Sequence, residues 1–389
     1  MGHSSPQGKV HSHVNALDGI RGFAFLLVLA YHASGMCMVA TRNLGEHLYY
    51  HLAAFGYCGV DLFFVLSGFL ITGILVDSRG QNGYFRNFYM RRVLRIFPLF
   101  YLALVLFYTL LRPLFLGQVS YDWLSLHQLW FWGYAQNWLF ALKPFPNPNL
   151  LSPFWSLAIE EQFYLFWPLV VFSLSAKWIL RVSVLLVIFS FLIRIVAVVL
   201  LPTPEAQPFC YFSTISRFDG LATGAIIAVI IRKDTWMRRM EGLSGKYFWC
   251  FAVATAITFG TQLLFHTMLF LNTIGATTLA FTFGGVIFIA VTRTQDHRVV
   301  RFFSNRQLRY VGQISYGLYI FHFPVMILLA AWWQGLHLWA FRIPLVRQLG
   351  FVAVSGGVTL VGAMLSWYLF ESRILELKKH FVAIPPDPS

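Results

Sequence analysis

Apolar residues fall in long runs along this chain, and the short stretches between the runs carry most of the charge. Ten runs are long enough to cross a hydrocarbon core of ~30 Å as helices. They cover residues 15–40, 57–77, 96–116, 155–176, 178–201, 212–231, 247–266, 269–291, 311–333 and 346–370. An eleventh run, 124–142, is weaker, because His127, Gln128, Gln136 and Asn137 interrupt its three tryptophans and Lys143-Pro-Phe-Pro-Asn-Pro follows it. The pattern predicts an all-α polytopic membrane bundle of about ten transmembrane helices.

Charge orients the bundle. With ten spans and the N-terminus inside, the inner segments hold 21 Lys and Arg and the outer ones five: Arg42, Arg112, Lys143, Arg342 and Arg347. Arg21, Arg194 and Arg217 lie inside spans. A crossing at 124–142 would put the basic loops on opposite faces, so the positive-inside rule places that segment outside or re-entrant and both termini in the cytoplasm. The chain of 389 residues is 58% apolar and 11% charged, with a net charge of +14. In a soluble chain that excess would suggest nucleic acid. Here it sits in loops facing anionic lipid, so membrane lipid is the expected partner and nucleic acid is not.

The first run is too long for a cleaved signal and is broken by Arg21, which reads as a retained helix. The expected layout is one membrane domain over 1–389 with short cytoplasmic tails at 1–14 and 376–389 and no appended soluble domain. Cys37, Cys58, Cys210 and Cys250 form no CxxC or Cys/His spacing, so no metal site is expected. Buried free thiols are favoured over an outer disulfide. Trp123, Trp130, Trp132, Trp138, Trp332, Trp333 and Trp339 suit an outer aromatic belt.

Candidate chemistry lies inside the runs. Arg21 and His32 are eleven residues apart, which on a helix returns within roughly 20° and climbs roughly 16 Å. A cation at the mouth and a titratable imidazole deeper in therefore share one face, and groups at such depth face a cavity or a partner. Arg91 and Arg95 are four residues apart and Arg92 and Arg95 three, so three guanidiniums crowd one cytoplasmic edge. Anchoring would be served equally by Lys, whereas Arg suits bidentate phosphate contact. Ser152-Pro153 opens a helix from the outer side that carries Glu160 to a depth similar to that of His32. The bland alternative for Glu160 is a partner for Arg194 or Arg217. Asp61 lies near an outer edge, Ser67-Gly68 reads as close helix packing, and Tyr319 and His322 are neighbours three residues apart, with a satisfied core histidine as the simpler reading of His322.

Five of these segments, in order, resemble the membrane-bound acyltransferase-3 family, which includes O-antigen and exopolysaccharide O-acetyltransferases. They are Asp18-Gly-Ile-Arg21-Gly with His32, Gly59-Val-Asp61-Leu-Phe-Phe-Val-Leu-Ser67-Gly, Arg91-Arg92-Val-Leu-Arg95-Ile-Phe-Pro, Trp155-Ser-Leu-Ala-Ile-Glu160-Glu-Gln-Phe-Tyr and Ser315-Tyr-Gly-Leu-Tyr319-Ile-Phe-His322-Phe-Pro. The resemblance implies a multi-pass protein of a bacterial inner (plasma) membrane, acyl-CoA, such as acetyl-CoA, as a cytoplasmic donor substrate, no bound cofactor, and a hydroxyl acceptor, commonly on a glycan or a lipid-linked glycan. On that reading Arg21, Arg91, Arg92 and Arg95 hold donor phosphates. His32 and Glu160 are catalytic. Asp18, Asp61, Ser67, Trp155, Tyr319 and His322 bind the acceptor or support the site. An acyl group carried on His32 is an alternative to direct attack. A small secondary metabolite such as a macrolide is an alternative acceptor, and a proton-coupled transporter or flippase is the rival from another class.

Overall fold

The computed structural model describes residues 15–36, 43–115, 117–145, 149–265, 271–336 and 343–381. Cys37, Trp339 and the expected 1–14 tail lie outside them. Helices account for nearly all of the described residues, and none of those residues forms a strand. Among the described residues, eight helices are long and apolar enough to cross a membrane: Asn15–Met36, Leu44–Asp77, Tyr84–Leu111, Ala176–Leu200, Thr203–Ile230, Asn272–Thr292, Ser315–Gly335 and Pro344–His380.

Two of the ten expected spans are not in that set. Residues 155–176 form the helix Trp155–Ser173, where Glu160, Glu161 and Gln162 dilute the apolar character. Most of 247–266 belongs to the helix Asp234–Phe265, within which Phe248–Ile257 is an apolar stretch. The weak run 124–142 makes no continuous crossing. The stretch breaks into Val119–Leu126, Gln128–Trp132 and Gln136–Leu142. The breaks fall at His127 and at Gly133–Ala135, where Tyr134 takes φ 51°, a left-handed conformation costly for a side chain with a Cβ.

The chain forms two compact units. The first comprises residues 1–24, 60–77 and 163–313 and has its own apolar core, with Ile20, Leu62, Val65, Ile227, Ile287 and Phe303 among its members. Glycines let its helices touch backbone to backbone. A Cβ on Gly22 would collide with the Leu308 carbonyl, and one on Gly68 with that of Leu221. The expected small-residue packing at Ser67-Gly68 is therefore present. Ser67 also hydrogen-bonds the Tyr164 hydroxyl. Cys58 is buried, Cys210 is a buried free thiol, and Cys250 is an exposed one.

Buried charge in this unit is paired. Arg194, which is fully buried, donates to Asp219 at 2.7 Å, to Thr277 Oγ1 at 2.5 Å, to the Thr273 carbonyl at 3.2 Å and to the Ser216 carbonyl. Asp219 also accepts from Thr277 Oγ1 and from the Gly220 amide. Arg217 donates to Asp61 at 2.6 Å between the rings of Phe64 and Tyr211. Asp219 and Asp61 are thus carboxylates that these two arginines meet.

The second unit comprises residues 25–59, 78–162 and 314–389. Its interior is aromatic. Tyr134 stacks on Phe100 with centroids 4.1 Å apart, and Phe100 meets Phe154 at 5.4 Å. The segment around 124–142 is bound into this unit by amide side chains that the sequence counted against burial. Gln136 Nε2 donates to the Phe154 carbonyl at 2.7 Å. Gln162 Nε2 donates to the Tyr134 carbonyl at 2.8 Å and to Asn137 Oδ1 at 2.9 Å. Gln136 and Asn137 are both fully buried, as hydrogen-bonded amides in an apolar surround can be.

Candidate active site

The second unit gathers the polar groups of three motifs. His32 lies near the end of the helix Asn15–Met36. His322 lies about two turns into Ser315–Gly335, where burial is complete. His322 Nε2 is 3.0 Å from His32 Nδ1, and His322 Nδ1 is 2.7 Å from the Tyr319 carbonyl. Phe323 packs its ring edge-on to His32 at 4.8 Å, and Phe25 does the same to His322 at 5.8 Å. The imidazoles are thus held in an apolar collar.

Tyr319 extends the chain of contacts. Its hydroxyl is 2.6 Å from Ser156 Oγ and donates to the Pro153 carbonyl at 3.0 Å. That carbonyl is available because Ser152–Phe154 forms a single tight turn ahead of the helix Trp155–Ser173. The Ser-Pro start read from the sequence thus also provides a hydrogen-bond acceptor. Trp155 is buried on the same turn. Glu160 follows one turn after Ser156 on the same helix. Tyr316 donates to the Ile96 carbonyl at 2.7 Å, in the helix that carries the arginine cluster.

The group within hydrogen-bonding distance of His32 is His322, a residue read from the sequence as core. Both readings hold at once: it is fully buried, and its partner is the candidate base. Sequence spacing placed Tyr319 beside His322 but could not join positions 290 residues apart. Glu161, beside Glu160 on the same helix, was not among the residues singled out from the sequence.

Arg91, Arg92 and Arg95 lie on Tyr84–Leu106 as the spacing requires. Arg91 is exposed, and the guanidinium of Arg92 lies over the Phe88 ring at 5.9 Å. In the first unit, Arg21 is a half-buried neighbour of Asp18, with Nη1 to Oδ1 at 3.3 Å, so the two polar residues of the Asp18-Gly-Ile-Arg21 motif hold each other. Among the described residues, no cluster of His, Cys, Asp and Glu could hold a metal ion.

This is a helical membrane protein with a paired-histidine centre bounded by a carboxylate helix and a basic helix. The chain belongs to the acyltransferase-3 family, whose model, described as an acyltransferase domain, matches residues 14–368. It is 31% identical over 347 residues to a putative peptidoglycan O-acetyltransferase, YrhL, of Bacillus subtilis, covering 82% of this chain and 49% of that protein. It is 30% identical over 344 residues to the peptidoglycan O-acetyltransferase OatA of Listeria monocytogenes, covering 81% of this chain and 50% of that protein. An O-acetyltransferase OatA of Staphylococcus aureus is 28% identical over 346 residues, covering 83% of this chain and 52% of that protein. The chain spans about half the length of the curated relatives it matches. No solved structure matches it.

Proposed function

We propose that this protein transfers an acyl group, acetyl in the first instance, from a cytoplasmic acyl-CoA to a hydroxyl of a cell-envelope glycan in a bacterial plasma membrane. The relatives' names support a carbohydrate acceptor, and the Arg91, Arg92 and Arg95 cluster supports a phosphate-bearing donor. The observation that carries the chemistry is the hydrogen bond between the two histidines.

A backbone carbonyl only accepts, so the bond to Tyr319 puts a proton on His322 Nδ1. The neutral ring then has a bare Nε2, which accepts from His32 Nδ1. His32 is left with a lone pair on Nε2. That nitrogen takes the proton of the acceptor hydroxyl as its oxygen attacks the acyl carbonyl. The tetrahedral intermediate collapses by breaking the carbon–sulfur bond, and the His32 proton goes to the departing thiolate. His322 keeps accepting from Nδ1 throughout, so the imidazolium that forms stays aligned. Glu160, one turn beyond Ser156 on the same helix, is assigned on this reading to the acceptor hydroxyl.

Mass spectrometry of envelope glycans tests this reading. Cells expressing the protein should show acetylated glycan that is absent from cells lacking it. His32→Ala should be made at normal level and lower the purified protein's transfer from labelled acetyl-CoA by at least ~100-fold, the scale of a lost general base. Near-normal turnover in that variant would remove His32 from the mechanism.

A further inference from the structure

The chain after the last apolar run returns to the basic helix. Trp367–Glu371 is a widened turn at the end of Pro344–Ser366, and Ser372–Glu376 and Leu377–His380 follow and pack against Tyr84–Leu106. Both ends of this segment are fastened. Glu371 accepts from Ser366 Oγ at 2.8 Å and lies against Gly317, where an added Cβ would stand 3.0 Å from its Oε1. At the far end, the guanidinium of Arg86 lies 5.4 Å over the Phe381 ring. Phe381 and Lys378 are three residues apart, so fixing one turns the other toward the same helix.

Lys378 consequently differs from the basic residues beside it. Lys379 and His380 are exposed, as simple anchors at a membrane edge would be. Lys378 is half-buried on the segment that packs against the helix carrying Arg91, Arg92 and Arg95. Arg91 is exposed, so the basic group has an open edge. Like charges gathered at such an edge repel one another, and an anion between them converts repulsion into attraction. The residue types suit phosphate: planar forks from the arginines and a compact ammonium with rotatable donors from the lysine.

We propose that Lys378 and the three arginines form one phosphate-binding cradle, with the segment Ser372–Phe381 as its second wall. The ligand carries phosphate ester groups, as the nucleotide end of acyl-CoA does and as an anionic phospholipid headgroup does. Occupation by acyl-CoA rests on the donor reading given above; the cradle itself does not.

The test uses the full-length protein in nanodiscs, with Lys378→Gln, Lys378→Arg and, as a control, Lys379→Gln. In phosphatidylcholine discs, CoA is titrated calorimetrically. In a parallel arm without CoA, thermal stabilisation by added phosphatidylglycerol is measured. Lys378→Gln is expected to weaken CoA binding about 10-fold, the scale of one lost charged hydrogen bond. Lys378→Arg should stay within about 3-fold of the parent and Lys379→Gln should match it, with the loss shrinking as salt rises. If CoA fails to bind any form, yet phosphatidylglycerol stabilises the parent and Lys379→Gln but not Lys378→Gln, the cradle stands with a lipid in it and the acyl-CoA donor reading falls. If Lys378→Gln and Lys379→Gln behave alike in both arms, the cradle is overturned. Recovery by Lys378→Arg separates loss of the ligand contact from misfolding of the C-terminal segment.

Discussion

At the residue scale, the proposed chemistry rests on two imidazoles 3.0 Å apart in an apolar collar. Such a pair makes the His322 tautomer a property of the Tyr319 carbonyl and the His32 tautomer a property of His322. Removing His322 should leave the base present but free to turn or to present the wrong nitrogen. His322→Phe is expected to lower kcat by about 10- to 100-fold with little change in donor KM, while His322→Gln, whose Oε1 can still accept from His32 Nδ1, should recover part of the rate. Steady-state kinetics at equal protein level check this, and equal rates in the two variants would show that His322 only fills space. The sequence announced His32 by its depth and Tyr319 with His322 by their three-residue spacing. It was silent on the bond between the histidines, because helix periodicity relates neighbours on one helix and says nothing about which helix lies opposite.

At the scale of elements, the apolar pattern located nearly every helix, since a run that must satisfy its own backbone in lipid has few alternatives. Gln136 and Asn137 marked 124–142 as a weak run, and it makes no continuous crossing; what the pattern did not show is that these amides are buried with partners, Gln136 on the Phe154 carbonyl and Asn137 on Gln162. Hydropathy scores the side chain and not its partner. The helix Tyr84–Leu106 was read correctly as a basic face, and it yields a prediction of its own. Phosphate contacts made in both ground and transition states should affect donor binding most. Arg92→Ala is expected to raise the KM for acyl-CoA by about 10-fold, Arg92→Lys by less, because charge remains while the planar fork is lost, and the acceptor KM should move little. Unchanged donor KM and turnover in both variants would leave positive-inside anchoring as the role of this arginine.

On the scale of the whole molecule, orientation is the property that charge alone predicts. With 21 basic residues in one set of loops and five in the other, single cysteines in a cysteine-free background should respond to side. A probe at Ser120 is expected to label with an impermeant reagent from outside intact cells, and probes at Ser244 or Ser304 only after permeabilisation. Outside labelling at Ser304 would invert the layout and separate the arginine cluster from the cytoplasmic donor.

The Arg194 network also bears on how the molecule is assembled. The carboxylate that neutralises this arginine lies 25 residues later in the chain, and the hydroxyl that completes its shell lies 83 residues later. A ribosome that has just delivered Ala176–Leu200 to the membrane therefore presents a bare guanidinium, which is safe in lipid only once Thr214–Ile230 has been made. The two helices must enter as one hairpin, and insertion machinery must shelter the first until the second arrives. Asp219→Asn should strand that cation, at a cost of about 3–5 kcal/mol. Pulse-chase labelling should then show synthesis at the normal rate followed by rapid degradation, whereas Arg194→Leu together with Asp219→Leu should survive the chase better than Asp219→Asn alone. The paired charges thus act as a checkpoint on biogenesis, passed only by chains whose order of synthesis brings the carboxylate to the waiting arginine.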